Sequence, residues 1–376
     1  MRSLIRQLAL TMPPRSVHVV GSNGKGTVAA MTAAALQAAG RRVGRFLSPH
    51  VEDFRERIAV DGEGIPPSFT LRFLEDLRSR PEVPEATFFE LGFALALEYF
   101  DQQEVEVAVV EAGVGARGDA TMALDNVEAV VITNVALDHL RSLGSSLEDI
   151  ALDKSAAIRP RIPVITGCRG DALSIIAREA RQCGSPLYSS LATPELFELP
   201  EALREVSPIS MGVRRSNQRL AAAVLRVLRL ITETAIATGL QSPPLPARAE
   251  RFLVGGCQVL LDGAHNPAAA TALATKLERP YVLVFGALPG KQAEATLRPL
   301  EVGAGATIIT RAGEEDTPVS RLRRRRFIAD PLQALAYART LCDPGDMIVV
   351  AGSFRLAGAV RPFLRKSVSL PARVAG

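Results

Sequence analysis

An apolar strand that runs into a glycine-rich turn, and from there into a helix, constrains this chain more than any other feature. The segment reads His18-Val-Val-Gly21-Ser22-Asn23-Gly24-Lys25-Gly26-Thr27. Residues 17–20 read as the strand, and a helix-compatible run covers 28–39. Three glycines let the backbone turn tightly and aim its N–H groups inward. The helix N-terminus adds positive potential. Lys25 supplies a mobile cation and Thr27 a hydroxyl suited to a magnesium ion. With Ser22, Asn23, Gly24 and Gly26 they form a cradle for a triphosphate. The spacing departs from the common G-x-x-x-x-G-K-[ST] pattern. Here the first glycine stands closer, and Gly26 separates Lys25 from the hydroxyl residue.

The rest of the chain alternates in the same manner. Apolar, β-branched runs at 105–111 and 129–135 read as buried parallel strands, and shorter strands fall at 43–47 and 164–166. Helical patterns cover 69–78, 88–101, 147–158 and 171–182, and one long alanine- and leucine-rich stretch covers 216–238. Gly239 to Pro244 breaks the pattern and reads as a linker. Strands at 259–261, 281–285, 307–310 and 347–351 then alternate with helices at 267–277, 293–300 and 331–341 and a final helix. At 376 residues the chain is too long for one ordinary domain. The expected fold class is α/β. A doubly wound, parallel-sheet ATPase domain with the phosphate loop is expected over 1–240, and a smaller Rossmann-like domain over 241–376.

Composition excludes several classes. No apolar run reaches the roughly 18 residues of a membrane span, and the N-terminus lacks a signal-peptide cleavage pattern. A soluble cytoplasmic protein without a membrane partner is expected. Cys168, Cys183, Cys257 and Cys342 form no CxxC pair, so neither a zinc site nor a disulfide framework is indicated. The net charge of +4 is mild. The basic run at 321–326 has no interleaved aromatic residues and no recognition motif, so it reads as a solvated surface and not a nucleic-acid site.

Nine segments carry a resemblance: HVVGSNGKGT, SPHVEDFRERI, TFFELGFALA, VVEAGVGARGDAT, ITNVALDHLRSLG, LDKSAAI, LLDGAHNP, VFGALPGK and AGSFRLAGAVR. In order and spacing this set resembles the folylpolyglutamate synthase and dihydrofolate synthase family, within the Mur ligase superfamily. The resemblance runs along most of the chain. It departs at Asn217-Gln218-Arg219-Leu220-Ala221, where the family has a histidine-glutamine pair and then an asparagine. It departs again around Arg117 to Met122, and the segment before the phosphate loop is shorter than usual.

The resemblance implies roles for single residues. Thr27, Ser48 and Glu90 would hold a first Mg2+ ion; His139 and Lys154, the latter as a carbamate, would hold a second. On its residues alone, Lys154 reads as a solvated helical lysine. Ser48 to Ile58 is a polar loop after the second strand, where ligands of open sheets bind. There Ser48, Pro49, His50, Phe54 and Arg57 would face the acceptor. The nucleotide would contact Ser22 to Thr27, Arg248, Asp262 and His265. Lys25, His139, Lys154 and His265 would serve the chemistry in a cleft between domains. The implied activity is an ATP-dependent ligase that joins L-glutamate to dihydropteroate, to a reduced folate, or to both. A monomer is implied. The rival readings are a Mur-type ligase of peptidoglycan precursors and a nucleotide-binding regulatory homologue without ligase activity.

Overall fold

The computed structural model describes residues 1–80, 85–203, 212–229, 231–278, 280–289, 292–314, 317, 319 and 325–368. In chain order the first elements are α1 (Arg2–Gln7), β1 (Ser16–Val20), α2 (Lys25–Ala38), β2 (Val43–Phe46), β3 (Ile58–Val60), β4 (Glu63–Gly64), α3 (Pro67–Arg78), α4 (Phe88–Gln102), β5 (Val107–Glu111), β6 (Val127–Ile132), α5 (Leu140–Leu143), α6 (Leu147–Ser155), β7 (Val164–Thr166), α7 (Gly170–Gln182), β8 (Leu187–Ser189), α8 (Gly212–Leu228) and α9 (Glu233–Leu240). There follow β9 (Glu250–Val254), β10 (Cys257–Leu261), α10 (Pro267–Ala274), β11 (Tyr281–Phe285), α11 (Ala293–Glu301), β12 (Ala304–Ile309), β13 (Arg325–Phe327), α12 (Pro331–Arg339), β14 (Met347–Ala351) and α13 (Phe354–Val368).

Two compact units result. The first comprises 1–50, 54–136 and 142–243; the second comprises 244–376 together with 51–53 and 137–141. The chain therefore enters the second unit twice, briefly, before its main crossing at Pro243 and Pro244. Nothing in the hydropathy pattern announces those two visits.

The first unit is built on an eight-stranded sheet in the order β4-β3-β2-β5-β1-β6-β7-β8. Its pairs from β2 to β8 are parallel, and β3 and β4 fold back antiparallel at one edge. β1 and β5 are buried along their whole length, the pattern of strands covered on both faces. The second unit is a six-stranded sheet in the order β13-β12-β11-β14-β10-β9, parallel except for β9. Alternate side chains of its central strands feed two cores. Val259, Leu261, Ile348 and Val350 join one; Leu260, Val349 and Ala351 join the other. That is the period of two expected of a sheet with helices on both faces.

The single helix expected over 216–238 is two. Arg229 takes a positive φ of 54° just after α8, and the Thr232 side chain caps α9 by accepting from the Ala235 N–H at 3.3 Å. Among the described residues, no helix is long and apolar enough to cross a membrane.

Candidate functional site

The phosphate loop lies between β1 and α2, at the centre of the first sheet. Gly21 adopts a φ of 147° and Gly24 one of 82°. A Cβ added at Gly21 would lie 1.9 Å from Thr133 Oγ1, so that position is closed to larger residues. The end of β6 braces the loop. Ser22 N donates to the Asn134 carbonyl at 2.9 Å, and Asn23 N donates to Asn134 Oδ1 at 2.9 Å. Thr133 Oγ1 donates to the Asn23 carbonyl at 2.7 Å. Lys154, on α6 and only 2% exposed, donates from Nζ to the Gly21 carbonyl at 3.1 Å. Thr27 stands in the first turn of α2, partly buried.

Opposite Lys25 stands a carboxylate. Glu111 ends β5 and is 2% exposed. Its Oε1 lies 3.9 Å from Lys25 Nζ, and its Oε2 accepts from the Ser48 backbone N–H at 2.9 Å. β5 is hydrogen-bonded between β1 and β2, with Val19 opposite Glu111. Lys25, Glu111 and Ser48 therefore meet beyond the carboxyl ends of three adjacent parallel strands, the usual ligand position in such sheets.

The segment after Ser48 carries an aromatic group. Arg57 donates from Nε to His50 Nδ1 at 2.8 Å and places its guanidinium 5.3 Å from the Phe88 ring centroid. Phe54 packs edge-on against both His50 and Phe88, at 6.2 and 5.6 Å. The Ser48–Pro49 peptide is cis. Burial pushes the Arg57 guanidinium below its ordinary value, with Glu111 and Glu56 opposing the shift.

In the second unit, Arg248 lies 4.2 Å over the Phe354 ring and His265 packs against the same ring at 5.6 Å. Asp262 accepts from the Ala249 and Ala264 N–H groups, both at 2.8 Å. Burial pushes its carboxyl above the usual range, and the charge of Arg248 opposes that. The segment 137–141 brings Asp138 to this cluster. Its Oδ2 accepts from Asn266 Nδ2 at 3.0 Å and lies 3.3 Å from His265 Nε2. Its Oδ1 accepts from the His139 backbone N–H at 2.8 Å. Asn266 Oδ1 accepts from the Ala269 N–H, so one side chain both caps α10 and holds Asp138.

Comparison with known proteins gives these two clusters a common context. Residues 19–159 match the Mur ligase middle domain and residues 247–354 the Mur ligase glutamate ligase domain. A folylpolyglutamate synthase from Lacticaseibacillus casei is 32% identical over 393 residues, covering 93% of this chain and 90% of its own. The chain belongs to the folylpolyglutamate synthase/dihydrofolate synthase family. A probable bifunctional folylpolyglutamate synthase/dihydropteroate synthase from Haloferax volcanii is 34% identical over 94% of this chain, which spans only 46% of that relative. A bifunctional folylpolyglutamate synthase/dihydrofolate synthase from Yersinia pestis, solved with AMPPNP and a Mn ion, superposes with a TM-score of 0.82 at 28% identity, over 97% of this chain and 92% of its own.

Against that family frame, one expected site residue stands elsewhere. Glu90 is the third residue of α4 and forms a capping box with Thr87. Its Oε1 also accepts from the Met1 amine at 2.7 Å. These bonds, the amine first, draw its carboxyl down to about 2. The carboxylate beside the phosphate loop is Glu111. Its signal in the sequence was an acid closing a β-branched, apolar strand. Among the described residues, no group of three or more His, Cys, Asp and Glu side chains is arranged to hold a metal by itself. Lys291, in the VFGALPGK segment, lies outside the described residues, as do Arg321 to Arg324.

Proposed function

We propose that this chain is an ATP-dependent ligase that forms an amide between L-glutamate and a pterin-bearing carboxylic acid, either dihydropteroate or a reduced folate. The observation that carries the reading is the meeting of Lys25, Glu111 and Ser48 at the phosphate loop. The Glu111 carboxylate is a hard oxygen donor suited to a magnesium ion, and in this reading the hydroxyls of Thr27 and Ser48 join it, with remaining positions left to phosphate oxygens and water. A magnesium ion held there would offset negative charge on the phosphates during transfer.

In the first step an acceptor carboxylate oxygen attacks the γ-phosphorus of ATP. The bond from that phosphorus to the bridging oxygen breaks, and ADP and an acyl phosphate result. In the second step the glutamate amine attacks the acyl carbon. The carbon–oxygen bond to phosphate breaks, the nitrogen loses a proton, and amide and inorganic phosphate form. No protein nucleophile is needed, so catalysis is positioning and charge stabilisation. Loop N–H groups and Lys25 hold the transferring phosphoryl group. His50, Phe54 and the exposed Phe88 offer an aromatic surface to a planar acceptor, with the buried Arg57 guanidinium behind it. Arg248, Asp262 and His265 bind nucleotide in this reading, and His139 belongs to a second metal position. There Lys154 would react with carbon dioxide to give a carbamate, which turns a cation into an anion.

Phosphate release measured with each substrate omitted in turn tests the proposal. Release is expected only when ATP, L-glutamate and either dihydropteroate or tetrahydrofolate are all present. Turnover with one acceptor alone would narrow the activity to a single synthase. No release with either acceptor would sink the reading. For Lys154, a carbamate carbon signal from labelled bicarbonate should appear in the wild type and vanish in Lys154→Ala; its absence from the wild type would remove the carbamate.

A further inference from the structure

One side chain touches the phosphate loop without any part in the scheme above. Asn217 lies on α8 and is 8% exposed. Its carboxamide rests against Gly24: a Cβ added there would lie 2.6 Å from Asn217 Oδ1 and 3.2 Å from its Nδ2. Gly24 is the N-cap of α2, so the amide sits beside the end of the helix where backbone N–H groups and the helix dipole favour an anion.

The neighbouring amide differs in one respect. Gln218 Nε2 donates to the Leu240 carbonyl at 3.0 Å and is a satisfied core group. The Asn217 carboxamide makes no hydrogen bond among the described residues. Neither of its polar atoms is among the fully buried ones that lack a partner, so the carboxamide keeps access to water, or to a ligand that takes the place of water. Ala221, one turn along the same face of α8, is fully buried and offers only a methyl group.

We infer that Asn217 Nδ2 donates a hydrogen bond to a phosphate oxygen of the bound nucleotide, so that Asn217 is a further nucleotide-binding residue. This rests on the ATP-dependent reading above. The contact adds a neutral donor to a site that otherwise relies on the Lys25 cation and loop N–H groups. Its place beside Gly24, the N-cap of α2, selects a phosphate over the base or ribose.

Calorimetric titration of the full chain with magnesium-ADP and with adenosine tests this, beside thermal melts without nucleotide. Asn217→Ala should weaken ADP binding about 3- to 10-fold, the usual worth of one neutral hydrogen bond. Asn217→Asp keeps the size but replaces the donor with a negative charge, and should weaken binding further. Adenosine affinity should not change. Without nucleotide, Asn217→Ala should melt at the wild-type temperature or above it, because the amide it removes has no partner. Unchanged ADP affinity in both variants overturns the inference alone. So does an equal loss for adenosine, or an Ala variant that melts several degrees lower yet binds ADP normally. A wild-type chain that fails to bind ADP overturns both the inference and the ligase reading.

Discussion

Lys25 and Glu111 define the chemistry at the scale of single residues. Replacing Lys25 by alanine should lower turnover on the order of a hundredfold or more while the fold persists, because a preorganised cation is lost from the developing charge. Glu111→Gln should do the same, whereas Glu90→Gln should keep turnover and lose only some stability. Steady-state phosphate release on the three variants decides between the two carboxylates, and a dead Glu90→Gln with a normal melt would reverse the assignment. His18 gives a pH dependence. Thr121 Oγ1 donates to Asp119 Oδ1 at 2.5 Å, so it accepts from His18 Nε2 at 2.8 Å, and His18 is the neutral Nε2–H tautomer. Burial first, and the charge of Arg159 second, push the imidazole down to about 3. The unfolded chain takes up a proton near pH 6.5 that the folded chain refuses. Stability is therefore complete above that pH and falls as pH drops from about 6.5 towards 3, by about 1.4 kcal/mol per pH unit. Urea unfolding at pH 7, 6 and 5 should show a shallower loss in His18→Gln; equal slopes would remove His18 as the cause. Lys25 was legible because glycines and a lysine between strand and helix have few other uses. Glu90 misled because its apolar neighbours in sequence do not share its helical face. The T-x-x-E spacing from Thr87, a capping signal, was the better guide.

Among elements, the strands buried on both faces were legible as unbroken apolar runs, and β5, β6, β11 and β14 fall where those runs stand. The edge strands β8, β9 and β13 were not legible, since three to five mixed residues at a sheet margin carry little periodic signal. The break between α8 and α9 was hidden for a different reason. It contains neither glycine nor proline, and its cap is a threonine that composition alone does not distinguish from a helical one. The glycine that matters lies further on. A Cβ at Gly239 would stand 2.3 Å from the Ala35 backbone nitrogen and 2.5 Å from its Cα, so α9 approaches α2 through a position where only hydrogen fits. Backbone atoms cannot move aside as a flexible side chain can. Gly239→Ala should therefore destabilise the chain by about 1–3 kcal/mol, as overpacked sites do. Denaturant melts check this; an unchanged midpoint would show that the two helices separate freely.

At the scale of the whole molecule, the last two arginines of the basic run, Arg325 and Arg326, illustrate how charge is spent internally. Arg325 is held by Glu294 and Glu301, with contacts of 2.6–3.0 Å, and these bonds raise its guanidinium above the ordinary value. Arg326 lies 4.1 Å over the Tyr337 ring. Mobility-shift titrations should find only weak, salt-sensitive association with DNA or RNA. Sequence-selective binding that survives high salt would contradict that. The two early visits of the chain to the second unit also bear on how such a protein can be inherited. Arg361 binds both Glu250 and Glu52, and Gly358 leaves room for the backbone of Val51. Asn266 ties its cap to Asp138. A gene fragment starting at Pro244 would encode neither Glu52, Val51 nor Asp138, and would leave a guanidinium and a capping amide short of their partners. A second half exchanged at Pro244 would keep its packing only where the recipient chain supplies equivalents of Val51, Glu52 and Asp138.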